Sequence, residues 1–265
     1  MCIRDSIVTD HKKAPQQGKN VTVKGDLGQS AAGKTDKNGE LTVPEVEQTE
    51  RHGVYIVGYT DGTFGPSRSM TRSEAAAIFA RLLAEKNGDT ISTAANTKFA
   101  DIPAHAWYSG YVKYLSNNGI TYGKSKTIFA PNDAITRAEF TTMAVRFFDV
   151  YGDGDAEIME QFSGFSDVSS GYWAAEYIKY AALHGWINGY GDGSFHAERE
   201  INRAEVVTIV NRLLGREADE DYIADNLRKL NTFPDVSRKH WAYYAVMEAA
   251  NAHTAVLGES ESWSK

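Results

Sequence analysis

One four-residue word recurs along this chain at an almost constant interval. Thr-Arg-Ser-Glu occupies 71–74, Thr-Arg-Ala-Glu 136–139 and Asn-Arg-Ala-Glu 202–205. Arg72 and Arg137 are 65 residues apart, and Arg137 and Arg203 are 66 apart. A second phrase keeps the same beat: FADIPAHAWYSGYVKYL starts at Phe99, FSDVSSGYWAAEYIKYA at Phe165 and FPDVSRKHWAYYAVMEA at Phe233. A fixed period of this kind defines a repeat architecture, in which each unit buries its apolar face only against its neighbours.

Both phrases read as helices. After each four-residue word, apolar residues recur at helical spacing, as in Ile78, Phe79, Leu82 and Leu83. Thr71 with Glu74, Thr136 with Glu139 and Asn202 with Glu205 have the N-cap and N3 spacing of a capping box. Met70, Ile135 and Ile201 precede the caps and are placed to staple onto Ala75, Phe140 and Val206. The arginines fit less well, because a cation at the first helical position faces the positive end of the helix dipole. In the second phrase Trp107, Tyr111, Val112 and Leu115 share a face, as do Trp173, Tyr177, Ile178 and Ala181, and Trp241, Ala245 and Ala249. A glycine-rich turn joins the two helices of a unit, GYTDGTFGPSRS at 58–69 and GYGDGSFHAERE at 189–200. The middle stretch, YGKSKTIFAPNDA at 122–134, has lost the Tyr-x-Asp-Gly element and offers Lys124 and Lys126 instead.

The flanks differ from the repeats. Residues 6–47 carry Val21-Thr22-Val23 and Leu41-Thr42-Val43 with GDLG and DKNG turn words between them. They read either as the β-rich remnant of an immunoglobulin-like domain or as a polar linker. MCIRD at residues 1–5 resembles a translated sequencing adaptor, so the natural N-terminus, and any signal peptide with it, is expected to lie outside this sequence. Cys2, the one cysteine, falls in that stretch. The net charge of −7 gives no basic excess for nucleic acid, and no run of 18 apolar residues marks a membrane span.

The ordered set Phe-x-Asp, Trp, Gly-Tyr-x-Asp-Gly-x-Phe and Thr-Arg-Ala-Glu resembles the S-layer homology repeat of bacterial surface proteins, across about residues 52–253. The resemblance implies a mainly α fold, a pseudo-threefold trimer of helix-loop-helix units with a short N-terminal β-hairpin remnant. Its parts are the second half of one repeat at 48–98, complete repeats at 99–164 and 165–232, and a closing first half with a tail at 233–265. It also implies a monomeric, extracellular module that holds anionic, pyruvylated secondary cell-wall polysaccharide non-covalently in grooves between lobes.

Carried over residue by residue, the binding positions are Arg72, Arg137 and Arg203; Trp107, Trp173 and Trp241; Asp101, Asp167 and Asp235; and Gly58 and Gly189. An arginine beside free helix amides suits a pyruvyl carboxylate, and tryptophan suits a sugar face. Competing readings stay open: the aspartates as helix caps, the tryptophans as core. Phe64, Phe129 and Phe195 read as core. Gly191, with its neighbouring glycines, lacks the context of a phosphate loop, and YGDGDAEIME at 151–160 fails the spacing of a calcium loop. No HExxH or other metal set, cofactor motif or catalytic constellation stands out, so the chain itself is expected to be non-enzymatic. The alternative function is the C-terminal anchor of a surface enzyme, such as a glycoside hydrolase, whose catalytic domain lies upstream.

Overall fold

The computed structural model describes residues 20–24, 30–35, 41–42, 48–151, 162–257 and 262–264, the first three stretches as backbone. The chain divides into two units, one ending at Thr49 and the other beginning at Glu50. In the first, β1 (Asn20–Lys24), β2 (Ser30–Thr35) and β3 (Leu41–Thr42) form an antiparallel sheet in that order. The GDLG and DKNG words fall outside the described residues, as do residues 1–5 and most of the YGDGDAEIME stretch.

The second unit is mainly helical. Its helices are α1 (Arg72–Asn87), α2 (Ser109–Asn117), α3 (Arg137–Tyr151), α4 (Ala175–Leu183), α5 (Arg203–Leu214), α6 (Glu220–Asn226) and α7 (Tyr243–Ala250). None of the described helices is long and apolar enough to cross a membrane. The longer helices α1, α3 and α5 each pack on a shorter partner, α2, α4 and α7 respectively. All three long helices open with the reciprocal capping box, in which Thr71, Thr136 and Asn202 accept from the amides of Glu74, Glu139 and Glu205 and the glutamates return to the cap amides. Helices α1 and α5 end on Gly88 and Gly215 in the left-handed conformation, which glycine adopts without Cβ strain.

The residues just before the caps close the architecture into a ring. The Met70 amide donates to Ile201 O at 2.9 Å, Ile201 to Ile135 O at 3.1 Å, and Ile135 back to Met70 O at 2.9 Å. All three side chains are buried. The three residues placed to staple their helices therefore form the hub through their backbones.

Closure at the rim follows the same rule. Phe99 meets Phe129 at 5.5 Å and Phe165 meets Phe195 at 5.2 Å between ring centroids, and Phe233 completes the set by meeting Phe64 at 5.3 Å. The last half-repeat thus packs on the first, 169 residues earlier in sequence. Two elements lie outside the repeat pattern. Helix α6 follows α5, and β4 (Gln48–His52), β5 (His253–Leu257) and β6 (Ser262–Ser264) form a second three-stranded sheet in that order. The expected helical character therefore gives way to strands at its two ends, His52 and His253. Trp263 in β6 anchors that sheet: its amide donates to Asp219 at 3.0 Å and its indole to Glu217 O at 3.2 Å.

Truncation after residue 232 removes Phe233 and the buried Val236, Tyr243, Val246 and Met247. Each fully buried large side chain contributes roughly 1.5–3 kcal/mol, so the truncated chain should show a markedly lower thermal midpoint by circular dichroism. An unchanged midpoint would mean that the ring stands without its closing segment.

Candidate functional site

The three repeated arginines are almost wholly buried, and each reaches into the next unit. Arg72 donates through Nε to Phe129 O at 2.7 Å and pairs with Glu139 at 3.0 Å. Arg137 repeats this with Phe195 O at 2.9 Å and Glu205 at 3.2 Å. Arg203 returns to the first unit, with Phe64 O at 2.8 Å and Glu74 at 3.6 Å. The glutamates are those of the capping boxes, so each one serves its own helix and its neighbour's arginine. Burial lowers the pKa of Arg137 and Arg203, and the tyrosine and glutamate beside each oppose that shift.

The helix amides beside these arginines are also occupied. The amides of Arg72, Arg137 and Arg203 donate to the carbonyls of Asp133, Arg199 and Arg68, and those of Ser73, Ala138 and Ala204 to Pro131, Ala197 and Pro66. The expectation of free amides beside a carboxylate-binding arginine is therefore corrected: the neighbouring loop has taken them. The electrostatic mismatch at the first helical position is resolved across the ring rather than by the helix itself.

The aspartates hold turns. Asp101 accepts from the amides of Phe129 and Ala130 at 2.9 and 2.6 Å, Asp167 from Phe195 and His196 at 2.7 Å each, and Asp235 from Phe64 and Gly65 at 2.9 and 2.7 Å. They cap the inter-helix turn of a unit, not the helix that follows them. Gly58 and Gly189 are needed because a Cβ at either would lie 2.5 Å from a ring carbon of Phe233 or Phe165. Gly123 holds the equivalent place against Phe99, also at 2.5 Å. The middle turn therefore keeps this glycine, and the Ser125 hydroxyl accepts from Thr127 and Ile128 where Asp61 and Asp192 serve the other two turns.

Above this scaffold lie two grooves of matching composition. One, of about 220 Å³, is lined by Arg137, Gly189, Tyr190, Glu205, Arg212 and Trp241, among others. The other, of about 250 Å³, is lined by Arg203, Gly58, Tyr59, Glu74, Arg81 and Trp107, among others. In both, the tyrosine ring lies over the buried guanidinium, at 5.3 Å for Tyr190 and 4.6 Å for Tyr59. The tryptophans are not core: Trp107, Trp173 and Trp241 are 54%, 55% and 64% exposed. Large aromatic surface held in water three times over is the mark of a contact face.

The grooves also contain residues that the sequence reading passed over. Arg81, Arg146 and Arg212 each stand nine residues after a repeated arginine, a periodicity visible in the letters. Among the described residues no carboxylate pairs with any of the three. Arg81 donates to Tyr55 O at 3.3 Å, and Arg212 donates to the Asn188 amide oxygen at 3.2 Å when that amide is oriented toward it. Arg146 lies 4.7 Å over the Tyr122 ring and bonds the Tyr177 hydroxyl at 3.2 Å, so in the middle unit this cation is engaged by aromatic groups.

Buried, cyclically paired helix N-termini with exposed tryptophans at the rim define a closed three-unit repeat module with an aromatic face turned to solvent. Matches to the S-layer homology domain at residues 42–76, 98–141 and 164–207 place it: the chain belongs to the S-layer homology family. It is 34% identical over 79% of its length to "Cell surface glycoprotein 1" of Acetivibrio thermocellus, of which it covers 9%. It is 30% identical over 87% of its length to the "Cellulosome-anchoring protein" of the same organism, covering 49% of it. It is also 32% identical over 60% of its length to that organism's "Exoglucanase XynX", covering 14%. The chain thus spans about half or less of these relatives. Family and relatives assign it to the outside of the cell, in association with the cell wall.

Two outcomes follow from this geometry. Arg203→Ala strands Glu74 and the Phe64 carbonyl and should lower folding stability by roughly 1.5–3 kcal/mol, the scale of hydrogen bonds to a charged group. Denaturant unfolding measures this, and a variant as stable as the parent would show that the ring of ion pairs contributes nothing. Burial would raise the Asp167 carboxyl pKa, but the amides of Phe195 and His196 outweigh it and hold the value below the ordinary range. The stability that Asp167 contributes is then complete above its unfolded pKa and is lost as pH falls through the depressed folded value. Asp167→Asn should flatten the acid limb of thermal midpoint against pH, and an acid limb that superposes on the parent's would contradict this.

Proposed function

We propose that this chain anchors a surface protein non-covalently to secondary cell-wall polysaccharide, seating sugar units in the grooves at Trp107 and Trp241. The observation that carries this reading is the arrangement of charge. The floor of each groove holds an arginine–glutamate ion pair, joined at Glu205 by Arg199, while Arg81 or Arg212 stands beside the exposed tryptophan with no carboxylate partner among the described residues. A sugar that bears a carboxylate, such as a pyruvyl ketal, would meet a cation in a bidentate geometry that lysine cannot supply. The tryptophan offers a face for the apolar side of the ring.

In this reading Arg72, Arg137 and Arg203 shape the floor, Gly58 and Gly189 let the turn lie close, and Asp101, Asp167 and Asp235 fix that turn. Near Trp173 the corresponding arginine, Arg146, is held between Tyr122 and Tyr177, which leaves less of it for a ligand. The three units complete their ring within one chain, which supports a monomeric module.

A second reading concerns the whole protein. The likeness to a protein named as an exoglucanase supports the chain as the anchor of a surface enzyme whose catalytic domain lies elsewhere. In both readings the described residues bind and do not catalyse.

Binding to purified cell-wall sacculi, before and after release of the secondary polymer, tests the proposal. Arg81→Ala with Arg212→Ala should weaken binding tenfold or more, since a charge-assisted contact is worth roughly 1.5–3 kcal/mol. Trp107→Ala with Trp241→Ala should weaken it comparably while stability stays within about 0.5 kcal/mol per site, as for other exposed positions. Full retention by both double variants would remove these grooves from the binding function.

A further inference from the structure

Away from the grooves, three side chains with metal-ligand chemistry converge in the interior of the second unit. His52 ends β4, Glu248 lies in α7 and His253 opens β5. They are 3%, 1% and 7% exposed. His52 Nδ1 stands 3.2 Å from His253 Nε2 and 3.3 Å from Glu248 Oε1, and His253 Nε2 stands 3.3 Å from Glu248 Oε2. Neither Glu248 oxygen has a hydrogen-bond donor among the described residues.

The outward ring atoms decide what faces inward. His253 Nδ1 lies 3.0 Å from Asn251 O, and a carbonyl only accepts, so the ring proton belongs on Nδ1 and the Nε2 lone pair points into the cluster. On His52 the Nε2 atom lies 4.0 Å from the Glu50 carboxylate, beyond hydrogen-bond reach, whereas Nδ1 is within 3.2 Å of His253 Nε2, so a single proton on His52 Nδ1 joins the two rings. Two ring nitrogens that share a proton and a carboxylate with no hydrogen-bond donor then meet in a buried space. A buried carboxylate without a donor is unfavourable unless a cation lies beside it, and a metal ion that displaces the shared proton would satisfy all three groups.

The spacing suits one cation class well. Ligand atoms about 2.0–2.1 Å from a tetrahedral zinc ion lie about 3.3 Å from one another; the two ring nitrogens are 3.2 Å apart, and each is 3.3 Å from a different oxygen of Glu248, with one ligand atom from each residue within 4.8 Å of the others. Two imidazoles and a carboxylate form a common zinc donor set, with ring protons held by outward acceptors. Trp263 stacks on the His253 ring at 3.8 Å and fixes its orientation.

We propose that His52, Glu248 and His253 form a structural site for zinc or a divalent transition ion of similar size. The ion would tie β4 to the last helix of the unit, α7, and to β5, which follows it. His52 and His253 are 201 residues apart, so no local motif announces the site and it exists only once the ring has closed. An ion bound by the folded state alone stabilises that state by mass action.

The test uses the untagged full chain, stripped with a chelator and titrated separately with zinc chloride and cobalt chloride. The expected results are one zinc per chain by calorimetry, visible cobalt absorption of tetrahedral N/O type, and a thermal midpoint raised by about 5 °C or more at a hundredfold excess of zinc over its dissociation constant. His253→Ala and the near-isosteric Glu248→Gln should abolish all three effects, and His105→Ala, at an exposed histidine elsewhere, should keep them. If the stripped chain binds neither ion, or if binding and the midpoint shift persist in Glu248→Gln, the proposal is overturned. Should His253→Ala fail to fold, the Glu248→Gln comparison alone decides.

Discussion

Everything in the second unit depends on how the N-termini of α1, α3 and α5 exchange groups. Each gives its first arginine to the capping glutamate of the next helix and receives the carbonyls of the following loop on its first two amides. A guanidinium buried to this degree needs a partner, because an unpaired charge in the interior is costly. Here the partner always comes from another unit. The same holds at the hub, where Met70, Ile135 and Ile201 pass backbone hydrogen bonds around a closed circuit. A single unit would leave half of these groups unsatisfied, so the three units form one cooperative body rather than three beads.

This dependence explains why the chain runs as half a repeat, two whole repeats and a second half. A ring made from a linear chain must be cut somewhere, and the cut falls between the two helices of one unit. The Phe64–Phe233 pair and the bonds from Asp235 to Phe64 and Gly65 mend it with the contacts used elsewhere around the ring. The sheet of β4, β5 and β6 adds a second fastening near the same seam, and the His52, Glu248 and His253 cluster joins it to α7.

Using arginines for the ring changes what the grooves have left for a ligand. A cation that pairs with a glutamate and a carbonyl contributes shape and little field. The charge that faces solvent comes from a second arginine, nine residues further along, which at about 100° per residue lies on the opposite side of its helix. Arg203 therefore forms the floor of one groove and Arg212 the wall of another. Helix α5 thus serves both grooves, its first residue in one and the rest of its face in the other.

Helices, caps and repeat order were all legible in the letters, because they rest on short-range rules: 3.6-residue periodicity, the N-cap to N3 spacing and a glycine where φ is positive. Closure was legible too, since the orphan halves complement one another. The duties of Arg72, Arg137 and Arg203 were not, because their partners lie more than 50 residues away and a helix seen alone gives a cation at its N-terminus only an unfavourable dipole. Nor was the exposure of Trp107, Trp173 and Trp241, since burial belongs to the packed surface and not to the residue type. The cluster of His52, Glu248 and His253 was hidden for the same reason. Local spacing by itself determined the elements and their order. Which side chains meet, and so which charges are neutralised and which remain for a ligand, was decided only when the ring brought distant segments to within a few ångströms.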